Sequence, residues 1–385
     1  MRRKNIGVVS VGRSDAGIYQ SVLSRIQNSD LLDLQLYVTG GHLAPEFGNT
    51  WQDFEKTGIP IYRKIVSTLA SDSPEAISKS LALTTLGFAE SFADSPPDCL
   101  VILGDRFEMM GAALAAMPFV LPIAHIHGGE TTEGAIDELV RHAITKMSHF
   151  HLVVLDDYKR RLLQMGEEKW RIKTIGLHEL NFKKRIKPFS KKFLTNKFKF
   201  DFSKPYCLLT FHPVTLELDK LKFQLINLVK ALKKININIV ITYPNADPQH
   251  EKIIYLFKKY CSSKKNYLIV KNLGTKNFVS VIRNCQFMIG NSSSGIVEAG
   301  TFKKPAINIG SRQKGKFKPV NVIDTNYSTS SILKSIKKAN TLKFKNKIKN
   351  MKNPYESRVS VKKVSDLIIK LKANDKLLRK KFVDL

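Results

Sequence analysis

Nowhere does the chain hold about 20 consecutive apolar residues, the length a helix needs to cross a bilayer, so a membrane-spanning helix is excluded. The first apolar stretch, Ile6 to Val11, is short and runs directly into Gly12, which predicts a first strand rather than a signal peptide. Cysteine is scarce as well. Cys99, Cys207, Cys261 and Cys285 lie far apart and form no C-x-x-C pair, which predicts free, buried thiols in a reducing cytoplasm. No clustered Cys/His set offers a metal site. The turn after the first strand reads Gly12-Arg13-Ser14-Asp15, not G-x-G-x-x-G, so a dinucleotide fingerprint is absent. The expectation is therefore no metal, no nicotinamide and no other cofactor.

Acidic residues are also few: 33 Asp and Glu against 63 Lys and Arg, a net charge of +30. Residues 1–187 balance at 22 and 22, so the whole excess sits in the remainder, with 41 basic and 11 acidic residues. Such an excess can mark a nucleic-acid-binding protein, which would need basic and aromatic residues gathered on one surface. Here the basic residues are nearly all lysine, with only Arg283, Arg312, Arg358 and Arg379 in that half, and they spread over every predicted element. No nucleic-acid partner and no membrane insertion are expected. The charge is read as compositional drift, with a mild positive field for an anionic nucleotide.

What is present is an alternation of apolar runs and amphipathic segments over 385 residues, enough for two α/β domains with parallel sheets. Strands are predicted at Ile6–Val11, Leu34–Val38, Ile59–Ile61, Leu100–Leu103, Val120–Ala124, Leu152–Leu155 and Ile172–Ile175. The pattern restarts at Tyr206–Phe211 and continues with Ile237–Thr242, Tyr267–Val270, Phe287–Gly290 and Pro305–Ile309. The expected organisation is a first domain over 1–182 and a lysine-rich linker over 183–204. A second domain spans 205–358, and a last helix in 359–385 crosses back to the first.

The strand ends carry the chemistry. In an open parallel sheet ligands bind at the carboxyl ends of strands. There the chain places Gly104-Asp105-Arg106 and His125-Ile126-His127-Gly128-Gly129-Glu130. A helix follows whose expected buried face is Ile136, Leu139, Val140, Ala143, Ile144 and Met147; Asp137 and Arg141 lie one turn apart beside it. His42 ends the second strand. In the second half His212-Pro213-Val214-Thr215, Tyr243-Pro244-Asn245 and Arg312 occupy equivalent places. Ser292, Ser293 and Ser294 at a helix start offer hydroxyls and free N–H groups for a phosphate, and Glu298 one turn on can accept from a ribose diol.

Taken together, GDRFE at 104–108, HIHGGE at 125–130, the D-E-x-x-R-H-x-I-x-K-x-S-H run at 137–149, HPVT at 212–215 and GNSSSGIVE at 290–298 resemble the hydrolysing UDP-N-acetylglucosamine 2-epimerases of sialic and legionaminic acid pathways. The resemblance spans Gly12 to about Gln313. It implies a GT-B-like fold of two Rossmann-like domains facing a cleft, and a nucleotide-sugar substrate carrying UDP or GDP. It implies removal of the nucleoside diphosphate from C1 with loss of the C2 proton, then hydration with C2 inversion. Asp105, Asp137 and Glu130 would act on the sugar; Arg141 and His212 would face the diphosphate. Arg13, Ser292 and Ser293 would hold phosphates, Glu298 the ribose, and Arg312 the nucleotide. A homo-oligomer, dimer or tetramer, is expected. Where some members read H-I-E-G-G-E, this chain has His127, so His127 transfers protons, Glu130 does, or the substrate differs. GRSD at 12–15 and TEGAIDE at 132–138 resemble the branch acting on 2,4-diacetamido-2,4,6-trideoxy sugars. A GT-B glycosyltransferase would share the nucleotide half of such a site but has no use for acid–base groups at C2.

Overall fold

The computed structural model describes residues 3–45, 48–69, 71, 73–133, 136–244, 249–261, 265–371 and 373–384. They form two compact units, each an α/β layer structure with its own core.

The first unit comprises residues 1–130, 136–179 and 357–385. Its strands are β1 (Lys4–Ser10), β2 (Leu32–Thr39), β3 (Arg63–Ile65), β4 (Cys99–Leu103), β5 (Ile123–Ile126), β6 (Phe150–Val153) and β7 (Ile172–Thr174). All pair in parallel, in the order β3-β2-β1-β4-β5-β6-β7. The central strands are buried on both faces, hence unbroken apolar runs such as Leu100-Val101-Ile102 rather than alternation. Strand order reverses between β1 and β4, the kind of point at the carboxyl edge where open parallel sheets bind ligands. The helix Val361–Ile369 buries Val364 and Ile368 in this core and packs on the helix Arg13–Gln27.

The second unit comprises 131–135 and 180–356. It holds β8 (Tyr206–Thr210), β9 (Asn238–Thr242), β10 (Tyr267–Val270), β11 (Met288–Gly290), β12 (Ala306–Ile309) and β13 (Val322–Thr325), parallel throughout, in the order β10-β9-β8-β11-β12-β13. Gly290 has φ +130°, and a Cβ there would stand 1.9 Å from the Thr210 carbonyl oxygen. Only glycine lets β8 and β11 finish so close together.

Several elements differ from the sequence reading. Ile59–Ile61 is not a strand; the third strand forms at Arg63–Ile65, where pairing with Tyr37–Thr39 outweighs local hydrophobicity. Val120, exposed with φ +53°, belongs to a turn, so β5 begins at Ile123. The stretch 183–204, read as a linker and lead-in, holds the end of the helix His178–Arg185 and the helix Lys191–Phe198, the second capped by Ser190 accepting from the Phe193 N–H. All four cysteines are buried and free.

A polar network fastens the C-terminal segment within the first unit. Arg171, fully buried, donates to the carbonyls of Lys376, Leu377 and Arg379 and to Glu168. Nearby, buried Glu167 accepts from His151 at 2.9 Å and from Lys146 and Lys380. Truncating Arg171 leaves those carbonyls without donors, and removing one member of a buried network costs about 3–5 kcal/mol. Arg171→Ala is expected to lower the urea midpoint strongly and expose the segment after Asn374 to protease; an unchanged midpoint would contradict the clasp.

Candidate active site

The ionisable residues at the carboxyl edge of the first sheet gather around one guanidinium. The helix Asp137–Met147 begins right after the loop that follows β5, so Arg141, one turn in, points back at the strand ends. Buried to 5% exposure, Arg141 donates one amino group to Asp105 and the other to the His127 carbonyl at 2.9 Å. His127 has φ +67°, the left-handed region that a β-carbon disfavours. Two donors hold that loop: Arg141 on the carbonyl of His127 and Arg161 on the carbonyl of Gly129. The twist turns the His127 ring so that Nδ1 lies 3.3 Å from Glu130 Oε1, with both side chains largely buried. Asp105 keeps about a fifth of its side-chain surface exposed and so stays reachable. Asp137 is half-buried in the first turn of its helix, and its neighbour Glu138 pairs with His142 at 3.1 Å.

His125, two residues before His127, is not part of that open group. It is fully buried; Nε2 donates to the Gly104 carbonyl at 2.8 Å, which leaves Nδ1 to accept from the Thr145 hydroxyl at 3.2 Å. Burial lowers its pKa to about 3, so it is neutral and braces the residue before Asp105. His42 is likewise fully buried, with Nε2 on Ser10 at 2.9 Å and Nδ1 on Thr50 at 2.7 Å; it builds the turn after β2. In the glycine turn, Asp15 accepts from the N–H groups of Val11 and Gly12, so it caps the helix that Arg13 begins. The Arg13 side chain and all of Asn245 lie outside the described residues.

In the second unit Asn291 is the centre of a separate cluster. Its amide accepts from the His212 N–H at 2.6 Å and donates to the His212 carbonyl at 2.8 Å. Its own carbonyl accepts from Arg312 at 3.3 Å and Gln313 at 3.0 Å. One buried asparagine thus ties together the loops after β8, β11 and β12. Burial, with Arg312 close by, holds the His212 imidazole well below its usual pKa and therefore neutral. Ser292, Ser293 and Ser294 are half-buried at the start of the helix Ser294–Thr301. A shallow cavity lined by Thr210, Gly290, Ser292, Gly295 and Asn308 adjoins them. Glu298, buried, pairs with Lys183 at 2.6 Å.

Sequence reasoning missed Asn291, Lys183, Arg161 and the bracing role of His125. Asn291 had a usable signal, its place between a strand-end glycine and the serine run; Lys183 had none within a lysine-rich stretch. Among the described residues no group of three or more His, Cys, Asp or Glu could hold a metal ion, and no helix is long and apolar enough to cross a membrane.

Residues 24–369 match the UDP-N-acetylglucosamine 2-epimerase family. The chain is 37% identical, over the full length of both, to the GDP/UDP-N,N'-diacetylbacillosamine 2-epimerase (hydrolyzing) of Campylobacter jejuni. It is 36% identical to the Legionella pneumophila UDP-N,N'-diacetylbacillosamine 2-epimerase (hydrolyzing), over 88% of this chain and 89% of that one. Among solved structures, UDP-GlcNAc 2-epimerase from Neisseria meningitidis bound to UDP-GlcNAc superposes with a TM-score of 0.79 at 17% identity, covering 95% of this chain and 98% of that one. That likeness shows the GT-B-like fold expected from the sequence.

The neutral burial of His125 has a consequence for stability. Folded, it stays unprotonated down to about pH 3, whereas unfolded it takes up a proton from about pH 6.5. The unfolded chain thus binds more protons between those values, so His125 makes stability fall as pH falls through that window. Urea midpoints at pH 7.5 and pH 5 should drop more for the wild type than for His125→Asn; equal drops would show that His125 titrates freely.

Proposed function

The chain belongs to the UDP-N-acetylglucosamine 2-epimerase family, and on that premise we propose that it hydrolyses a nucleoside-diphosphate 2-acetamido sugar with inversion at C2. The substrate class we favour is the UDP- or GDP-linked 2,4-diacetamido-2,4,6-trideoxyhexose, the kind of sugar named in the two relatives similar along most of their length. The observation that carries the reading is the Asp105–Arg141–His127–Glu130 group, a set of proton carriers that simple glycosyl transfer does not require.

The reaction needs a base for the C2 proton, stabilisation of positive charge at C1 as the C1–O bond breaks, and cations for the departing diphosphate. Asp105, partly exposed and oriented by Arg141, is the carboxylate for the sugar. His127 and Glu130 lie at proton-sharing distance, so one can take the C2 proton while the other, or water, returns one to the opposite face. Asp137 adds negative charge for the oxocarbenium-like state. The double bond between C1 and C2 then takes up water, hydroxyl at C1 and proton at C2, giving free sugar and nucleoside diphosphate. Ser292, Ser293, Ser294, Arg13, Asn245 and Arg312 bind phosphate and nucleotide, neutral His212 donates to a phosphate oxygen, and Glu298 accepts from the ribose. Arg141 holds Asp105 and the His127 loop rather than the diphosphate, because both amino groups are already engaged. A dimer or tetramer acting in the cytoplasm completes the proposal.

Incubation with nucleotide sugars in D2O and no acceptor tests it. The free 2-epimerised sugar should carry deuterium at C2, and Asp105→Asn should lower kcat by at least about 100-fold, the low end for loss of an acid–base group. Release of sugar without deuterium at C2, or a strict need for an acceptor, would rule out the mechanism.

A further inference from the structure

Glu298 has a partner within the second unit, Lys183, to which the reaction above gives no part. Lys183 stands in the run Lys183-Lys184-Arg185 that ends the helix His178–Arg185; Lys184 and Arg185 are exposed, whereas Lys183 is half-buried. Its ammonium donates to Glu298 Oε1 at 2.6 Å, with side-chain exposures of 20% and 11%. A pair so shielded is screened by salt far less than an exposed one. The ammonium occupies one of the roughly four acceptor positions of a carboxylate, and Oε2 stays outside the pair.

The backbone under Glu298 is held as well. Asn353 donates to the Val297 carbonyl at 2.7 Å and to the Thr301 hydroxyl at 2.8 Å, on either side of Glu298 in the helix Ser294–Thr301. A glutamate on a fixed helix still has several side-chain torsions of its own, and a ligand that must order them binds more weakly. Lys183 removes that freedom before a nucleotide arrives. We propose that Lys183 is a positioning residue for nucleotide recognition: it fixes Oε1 of Glu298 so that Oε2 receives a ribose hydroxyl, and so makes the site select ribonucleoside diphosphates over their deoxy forms. This rests on the assignment of Glu298 to the ribose made above and adds the residue that gives the contact its selectivity.

Calorimetric titration of the full chain with UDP and GDP, and with the 2′-deoxy and 3′-deoxy form of each, tests this without any turnover. For whichever base binds, the wild type is expected to hold the ribonucleotide at least about 10-fold tighter than one of its deoxy forms, the effect of a hydrogen bond to a charged group. Lys183→Met keeps the length of the side chain without its ammonium and should bring that ratio most of the way to one; Lys183→Ala should do the same. The ratio is the readout because a merely structural loss weakens both nucleotides alike. A ratio unchanged in both variants, or an equal fall in affinity for both nucleotides, would overturn the inference while leaving the ribose assignment intact. A ratio that rises would show that Lys183 competes with the ribose for Glu298, and would overturn it too. If the wild type binds ribo and deoxy forms equally, or binds neither UDP nor GDP, the ribose or the nucleotide assignment fails and this inference falls with it.

Discussion

A single guanidinium, that of Arg141, bridges the ends of two adjacent strands, and the polar cluster at the carboxyl edge of the first unit depends on it. It takes Asp105 from the end of β4 and the carbonyl of His127 from the end of β5. Removing Arg141 would leave a carboxylate and a strained backbone carbonyl without their donor in a largely buried place. The left-handed residue at 127 costs on the order of 1–3 kcal/mol, and such strain persists only where surrounding contacts over-determine it. Arg141 and Arg161 supply that constraint, on alternate carbonyls of one loop.

The second unit solves a similar problem without charge. There, Asn291 uses both sides of its amide on the backbone of His212 and its carbonyl on Arg312 and Gln313. Strand order runs 3-2-1-4-5-6 in chain order in both units, with a seventh strand added in the first. Each therefore brings the loop after its first strand next to the loop after its fourth, at the reversal point. The chemistry of those loops separates the units: carboxylates and an arginine in one, a neutral imidazole and serine hydroxyls in the other.

Much of this was legible in the sequence because buried parallel strands are dense apolar runs that end abruptly. The runs at Leu100 and Tyr206 locate two strands closely, and the apolar period from Ile136 onward locates the helix that aims Arg141, although Ile136 and Leu139, expected on its buried face, are exposed. What failed did so for physical reasons. Ile59–Ile61 is as apolar as a short strand should be, but an edge strand's register is set by its neighbour. The helices within 178–198 are small and lysine-rich, so their periodicity is faint. In the site, Asp137 and Arg141 could be paired by helical spacing, whereas the fates of His42 and His125 could not. A histidine's residue type is equally compatible with solvent, catalysis and a buried brace. Only the hydroxyls of Ser10, Thr50 and Thr145, distant in sequence or on other elements, decide.

Arg141 also offers the sharpest test, since its residue type suits a diphosphate ligand and its geometry a positioning residue. Steady-state kinetics of Arg141→Lys on the nucleotide sugar distinguish the two. Lysine keeps the charge but cannot reach Asp105 and the His127 carbonyl with two planar donors at once. The account predicts a fall in kcat of about 100-fold or more, the scale of an ångström's misplacement of reacting groups, with KM changed little. A KM raised many-fold at nearly unchanged kcat would place Arg141 on the diphosphate and contradict the account.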